Sequence, residues 1–174
     1  MTKMIKYITL FLLLTATLTG KSQQVNKTII DPELGTEVMI GYCNKTGLEK
    51  GPIGAEFSSE FEAYNPQKKY IEKLTAPIDA VEFTVVLGTW CSDSREQVPR
   101  FYKILDQTGY NPKRVKVIGV DSNKSAILVD IRDLNIQRVP TFIVYKNGIE
   151  VGRIIETPEK KLERDLWNII SETL

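Results

Sequence analysis

The 174-residue chain contains no histidine. That absence removes Ser-His and Cys-His nucleophile pairs, histidine metal sites and histidine general bases together. Cysteine is scarce, with only Cys43 and Cys91. Two separated cysteines supply no recognisable metal-ligand set, and no cofactor is expected. Basic runs are missing, and the formal charge is +1, which gives no support for nucleic-acid binding. Long apolar segments are missing too. The stretch from Ile8 to Leu18 covers 11 residues, well short of the ~20 that span a bilayer.

That stretch instead reads as the apolar part of a secretory signal peptide. Lys3 and Lys6 precede it, and Gly20 and Ser22 put small residues where a signal peptidase reads, so residues 1–22 are expected to be removed and the mature chain to begin at Gln23. No cysteine directly follows, which argues against a lipid anchor. Losing Lys3, Lys6 and Lys21 leaves 20 basic against 22 acidic residues, near −2. The expected location is exported, periplasmic or secreted, without a membrane span in the mature chain. Both cysteines then face an oxidising compartment, where a structural disulfide is the plain expectation for a pair.

Hydrophobic periodicity predicts one α/β domain over residues 36–174, after a loose lead-in at 23–35. TEVMIGY alternates as a strand, and a glycine-rich loop follows from Cys43 to Glu56. Phe57, Phe61 and Tyr64, then Tyr70, Ile71 and Leu74, carry helical spacing interrupted at Asn65-Pro66. FTVVLG reads as a parallel strand covered on both faces. Val98, Phe101, Tyr102 and Leu105 mark a helix, kinked at Pro99 and stopped by Gly109. VKVIGV is another buried strand, and Ala126, Leu128, Ile131 and Leu134 suggest a helix after it. TFIVY and IEVGRII flank Asn147-Gly148, a tight-hairpin dipeptide. Thr157-Pro158 then starts a helix with Leu162, Leu166, Ile169 and Ile170 on one face. The predicted order is βαβαβαββα.

Chemistry concentrates in GTWCSDSREQVPR, residues 88–100. Cys91 leaves a buried strand at the start of a helix, where backbone N–H groups and the helix dipole favour thiolate. Thiolate is the species that attacks disulfides. Asp93 and Glu96 read as solvated first-turn acids.

This arrangement resembles the thioredoxin family. TWCSDSREQVP is similar to the family's Trp-Cys-x-x-Cys motif with its following basic residue (Arg95) and helix-kinking proline (Pro99). RVPTFIVYKNG resembles its second signature, which assigns Val139, a cis Pro140 and Thr141 as the substrate-binding segment beside Trp90 and Cys91. The resemblance covers residues 36–174 and implies a thioredoxin-like fold, a central mixed sheet flanked by helices. The backbone of Val139 would then pair with an extended substrate segment.

The sequence departs from that pattern. Ser94 stands where the second cysteine would resolve a mixed disulfide, so dithiol cycling at this motif is excluded, and release falls to another thiol. Val85 replaces the buried aspartate many thioredoxins carry six residues before the first cysteine. The segment before Pro140 is longer than in the smallest thioredoxins, and the Cys43–Glu56 loop is extra. The resemblance implies that the first and second strands run parallel, placing Cys43 and Cys91 on one sheet edge ~10 Å apart. Cys43 is therefore either a resolving or disulfide partner, or a buried, idle thiol.

Two functions fit. One is an exported monothiol oxidoreductase or isomerase, with Cys91 as nucleophile flanked by Trp90 and Ser94, acting on partner proteins that carry a cysteine or disulfide, with a small thiol as a further reactant. The other is a redox-inactive module holding a protein through the cis-proline groove and the 43–56 loop. A glutaredoxin-like protein fits less well because Ser92-Asp93 does not match its motif. A peroxiredoxin lacks its proline and threonine at the needed spacing.

Overall fold

The computed structural model describes residues 24–174; the expected signal peptide lies outside the described residues. Six strands form one mixed sheet in the order β1-β2-β4-β3-β5-β6: β1 Lys27–Ile30, β2 Glu37–Cys43, β3 Glu82–Leu87, β4 Val115–Gly119, β5 Thr141–Lys146 and β6 Ile149–Ile155. The helices are α1 Lys45–Lys50, α2 Gly54–Ala63, α3 Lys68–Leu74, α4 Ser92–Thr108 and α5 Leu162–Ser171. The α/β class, with a mixed sheet flanked by helices, is thus present.

Strand β3 is central because both its faces are apolar. Phe83, Val85 and Leu87 join the larger core, built with the five helices, while Val86 joins a smaller core on the other face. Helix α4 buries Val98, Phe101, Tyr102 and Leu105 against the larger core and stops at Gly109, whose φ of 76° is the left-handed cap expected of glycine. Asn147 and Gly148 take φ of 53° and 77°, turning β5 into β6.

Four local expectations change. Residues 27–30, read as part of a loose lead-in, form β1, antiparallel to β2. The turn after it is tied down by Asp31. Its fully buried carboxylate accepts hydrogen bonds from the N–H groups of Glu33, Leu34 and Ser122 and from Ser122 Oγ, at 2.8–3.0 Å. The Cys43–Glu56 loop contains α1, whose N-cap Asn44 accepts from Gly47 N–H at 2.9 Å. Helix α5 begins at Leu162 with Lys161 as N-cap, a turn later than Thr157-Pro158 suggests.

The helix expected over 126–134 is replaced by irregular chain with a single 3₁₀ turn, Arg132–Leu134. The apolar residues still do their work: Ala126, Val129, Ile131, Leu134 and Ile136 pack on the smaller core with Trp90 and Val139. Side chains take the backbone N–H groups that a helix would use. Asp121 accepts from Ser125 N–H, Ser125 Oγ from Ile127 N–H, and Asp130 from Arg132 N–H.

One sheet feature corrects the geometry assumed for the two cysteines. Strands β3 and β4 are parallel, but β2 runs antiparallel to β4, pairing Gly41 with Gly119 and Cys43 with Val117. Cys43 therefore lies level with the middle of β4 rather than at the carboxyl edge where Cys91 emerges.

Candidate active site

Four segments build the site around Cys91. The turn after β3 closes with Cys91 N–H donating to Gly88 O at 2.9 Å, and Cys91 becomes the N-cap of α4. Its thiol, half-buried, donates to the carbonyl of Val139 at 3.2 Å. The Val139–Pro140 peptide bond is cis. Thr141, buried at the start of β5, donates its hydroxyl to Arg138 O at 2.6 Å and braces this turn. Cys91, Val139, Pro140 and Thr141 are thus brought together.

Trp90 packs on the smaller core together with Cys91, its Nε1–H donating to Val120 O at 3.0 Å. This packing depends on Gly88: a Cβ there would stand 2.6 Å from the indole. The preceding Thr89 is buried, and its hydroxyl oxygen accepts from Met39 N–H of β2 at 3.1 Å. Val120 is followed by Asp121 and by the Ser122 that Asp31 holds. The support for Trp90 therefore extends into the segment around β1, a link that spacing could not reveal. Gly88 had a readable signal, since it ends the apolar run directly before Thr-Trp-Cys.

Ser94 is fully buried one turn into α4, and its oxygen accepts from Gly88 N–H at 3.3 Å. It ties the helix to the turn that presents Cys91. Val85 is fully buried in the larger core, so a hydrophobe fills the place the resemblance assigns to an acid.

Cys43 does not join the site. It is buried, its thiol donates to Gly41 O at 3.4 Å, and burial pushes its pKa up to about 11 despite a hydrogen bond from the Gly119 backbone. Both cysteines are free. Tyr102 is buried nearby, its hydroxyl unpartnered within the described residues, and burial raises its pKa, with the negative charge of an ionised Cys43 and of Glu49 adding to the rise.

Charged groups border the thiol on the α2 side. Arg95 donates Nε–H to Thr89 O at 2.7 Å and pairs with Glu56 at 3.4 Å. Arg100 bonds Glu60 at 3.0 Å and also pairs with Glu96. An open concavity of about 350 Å³ is lined by Glu56, Glu60, Trp90, Ser92, Arg95 and Glu96. Among the described residues no group of three or more Cys, Asp or Glu is arranged to hold a metal ion, and no helix is long and apolar enough to cross a membrane.

A Thioredoxin family model matches residues 65–168. Among solved structures, a protein of unknown function from Pseudomonas aeruginosa is similar over 72% of this chain and 86% of its own, at 16% identity and a TM-score of 0.52. The germline-specific thioredoxin Deadhead of Drosophila melanogaster matches over 60% of this chain and 91% of its own, at 16% identity and a TM-score of 0.39. A Malassezia sympodialis thioredoxin is 24% identical over 54% of this chain and 75% of its own, with a TM-score of 0.37. No curated protein matches the chain.

Proposed function

Because the chain belongs to the thioredoxin family, we propose that it is an exported thiol-disulfide oxidoreductase or isomerase of monothiol type, with Cys91 forming mixed disulfides with substrate proteins. The observation that carries this reading is the placement of a half-buried Cys91 at the N-cap of a 17-residue helix, its sulfur 3.2 Å from the carbonyl before a cis proline. The attacking species is the thiolate, which has given up its hydrogen bond to that carbonyl. The thiolate attacks one sulfur of a substrate disulfide. A new S–S bond forms to Cys91, the old one breaks, and the departing sulfur takes the electron pair and then a proton. Extended substrate backbone lying along Val139 would hold the disulfide in line with the attack.

Ser94 cannot complete the cycle, since a serine hydroxyl does not displace a thiolate and its oxygen already serves Gly88. Cys43 sits in the core. Release therefore requires a thiol from outside the chain, which attacks the mixed disulfide and leaves Cys91 as thiolate again.

The test is mass spectrometry of the purified protein after exposure to oxidised glutathione and to a disulfide-linked peptide near neutral pH. One adduct per chain is expected, lost in Cys91→Ala. Absence of any adduct on Cys91 sinks the redox reading. Export is tested by the N-terminus of the protein recovered outside the cytoplasm, which should be Gln23.

The buried, structural use of Ser94 also supports a second reading, a binding module that keeps the cis-proline groove and the 43–56 segment without redox turnover. On that reading Cys91→Ser retains partner capture.

A further inference from the structure

We infer that the site selects sulfur compounds carrying a positive charge close to the sulfur, both as the thiol that releases Cys91 and as the disulfide it attacks. This rests on the exchange chemistry proposed above.

The concavity of about 350 Å³ opens beside Cys91, because Trp90 and Ser92, the residues on either side of it, both line the wall. Three more of its lining groups are carboxylates: Glu56 and Glu60 from α2 and Glu96 from α4. The cations nearby are already committed. Arg95 holds Thr89 O and Glu56, and Arg100 holds Glu60 and Glu96. Asp93, in the first turn after Cys91, makes no ion pair among the described residues. Across the groove, Arg138 is paired with Glu156 at 2.6 Å, so that side adds no net charge. Glu56, Glu60, Glu96 and Asp93 against Arg95 and Arg100 leave an excess of two negative charges around the thiol.

Glutathione carries a net negative charge at neutral pH and meets this field unfavourably. An amine thiol, or a cysteine flanked by Lys or Arg in a peptide, meets it favourably. The chemistry is the same in each case: the incoming thiolate bonds to a sulfur of the mixed disulfide, the existing S–S bond breaks, and the leaving sulfur carries away the electron pair. Charge selects which partner approaches. Two excess charges within about 10 Å, acting on partners that differ by two charges, correspond to roughly a fivefold rate difference at low salt, which vanishes once the Debye length falls well below that distance.

The experiment loads Cys91 with the neutral thiopyridyl group from dithiodipyridine and follows its release by stopped-flow absorbance. One arm uses cysteamine, 2-mercaptoethanol and 3-mercaptopropionate. The other uses the peptides Lys-Cys-Lys and Glu-Cys-Glu. Each rate is divided by the rate of the same thiol on a small thiopyridyl disulfide, which removes intrinsic nucleophilicity. The expected result is a normalised preference for the cationic member at 20 mM salt of about fivefold between cysteamine and 3-mercaptopropionate and, since the peptides differ by four charges rather than two, about 25-fold between Lys-Cys-Lys and Glu-Cys-Glu, both collapsing below about twofold at 500 mM and reduced in Glu56→Gln. A preference in the peptide arm alone identifies basic polypeptide segments as the source of the charge; one in the small-thiol arm alone identifies free amine thiols. Equal or reversed rates in both arms overturn the inference while leaving the proposed exchange intact. Failure of Cys91 to take the thiopyridyl group would instead defeat the exchange itself.

Discussion

Ser94 Oγ accepts a hydrogen bond from Gly88 N–H at 3.3 Å, entirely out of solvent, across the base of the turn that presents Cys91. The residue standing where a resolving thiol is expected has become a fastener. This separates two properties that a second cysteine would combine: holding the turn and completing the redox cycle.

Ser94→Ala tests the first property. The Gly88 N–H loses its acceptor in a site without water access, which costs about 1–3 kcal/mol. Urea denaturation should show that loss while adduct formation at Cys91 persists. Ser94→Cys tests the second. It supplies a thiol one helical turn from Cys91 and should turn over a peptide disulfide faster with dithiothreitol as reductant than the unaltered chain does, because the mixed disulfide of the unaltered chain waits for dithiothreitol itself to release it. A Ser94→Cys protein that forms adducts yet turns over no faster than the unaltered chain would show that the site holds the two sulfurs apart.

Gly88→Ala should unseat the indole. Its Cβ would lie 2.6 Å from Trp90, closer than real contacts allow, so either the ring or the turn must shift. Loss of the Trp90–Val120 hydrogen bond and overpacking together should cost about 1–3 kcal/mol. In a Trp167→Phe background, emission from Trp90 should move to longer wavelength as the ring gains solvent. Unchanged emission with unchanged stability would contradict the packing described for this shelf.

The strand end at Cys91, the helix after it and the hairpin were readable because each is a local pattern: an apolar run ending at Gly88, helical spacing after Cys91, and Asn147-Gly148 between two strands; the cis proline was implied only by the resemblance to the thioredoxin family. Strand direction was not readable. Nothing local in TEVMIGY tells whether it runs with or against VKVIGV, and the antiparallel choice moved Cys43 away from Cys91. The helix anticipated over 126–134 failed for a different reason. Of the residues that set its apolar spacing, Ala126, Ile131 and Leu134 are used in burial while Leu128 stays exposed, and Asp121, Ser125 and Asp130 capture the backbone N–H groups instead. The lead-in became a strand through Asp31, whose importance depends on Ser122, 91 residues later.

That buried aspartate makes stability depend on acid. Burial alone would raise its pKa, but the hydrogen bonds from Ser122, Leu34 and Glu33 outweigh this and hold the carboxyl below the usual range. A lowered folded pKa means the stabilisation is complete above the unfolded value of about 3.9 and disappears as pH falls through the folded value. Asp31→Asn should therefore be less stable than the unaltered chain at pH 7, with the gap narrowing below about pH 4. Asp130, held down to about 2 by its hydrogen bonds to Arg132, is present in both proteins and cancels in the comparison. Denaturant midpoints at pH 7, 5, 4 and 3 measure the gap. A gap constant across that range would show that the charge of Asp31 contributes nothing.

The two cysteines should differ sharply in reactivity. Cys91 is half-buried at the surface, whereas Cys43 is buried among Met39, Leu48 and Val117. Ellman's reagent at pH 8 should titrate one thiol in the native protein and the second only in denaturant, with Cys91→Ala removing the native signal. Because burial pushes the Cys43 thiol up to about 11, the folded state favours its neutral form. Its contribution to stability is full below the unfolded thiol pKa of about 8.5 and is lost as pH rises toward 11. The tyrosines raised by burial add to the same alkaline decline, so the comparison with Cys43→Ala isolates the thiol: the variant starts lower and falls less steeply above pH 8.5. Two thiols titrating at equal rates in the native protein would overturn the placement of Cys43, and with it the conclusion that the thiol releasing Cys91 comes from outside the chain.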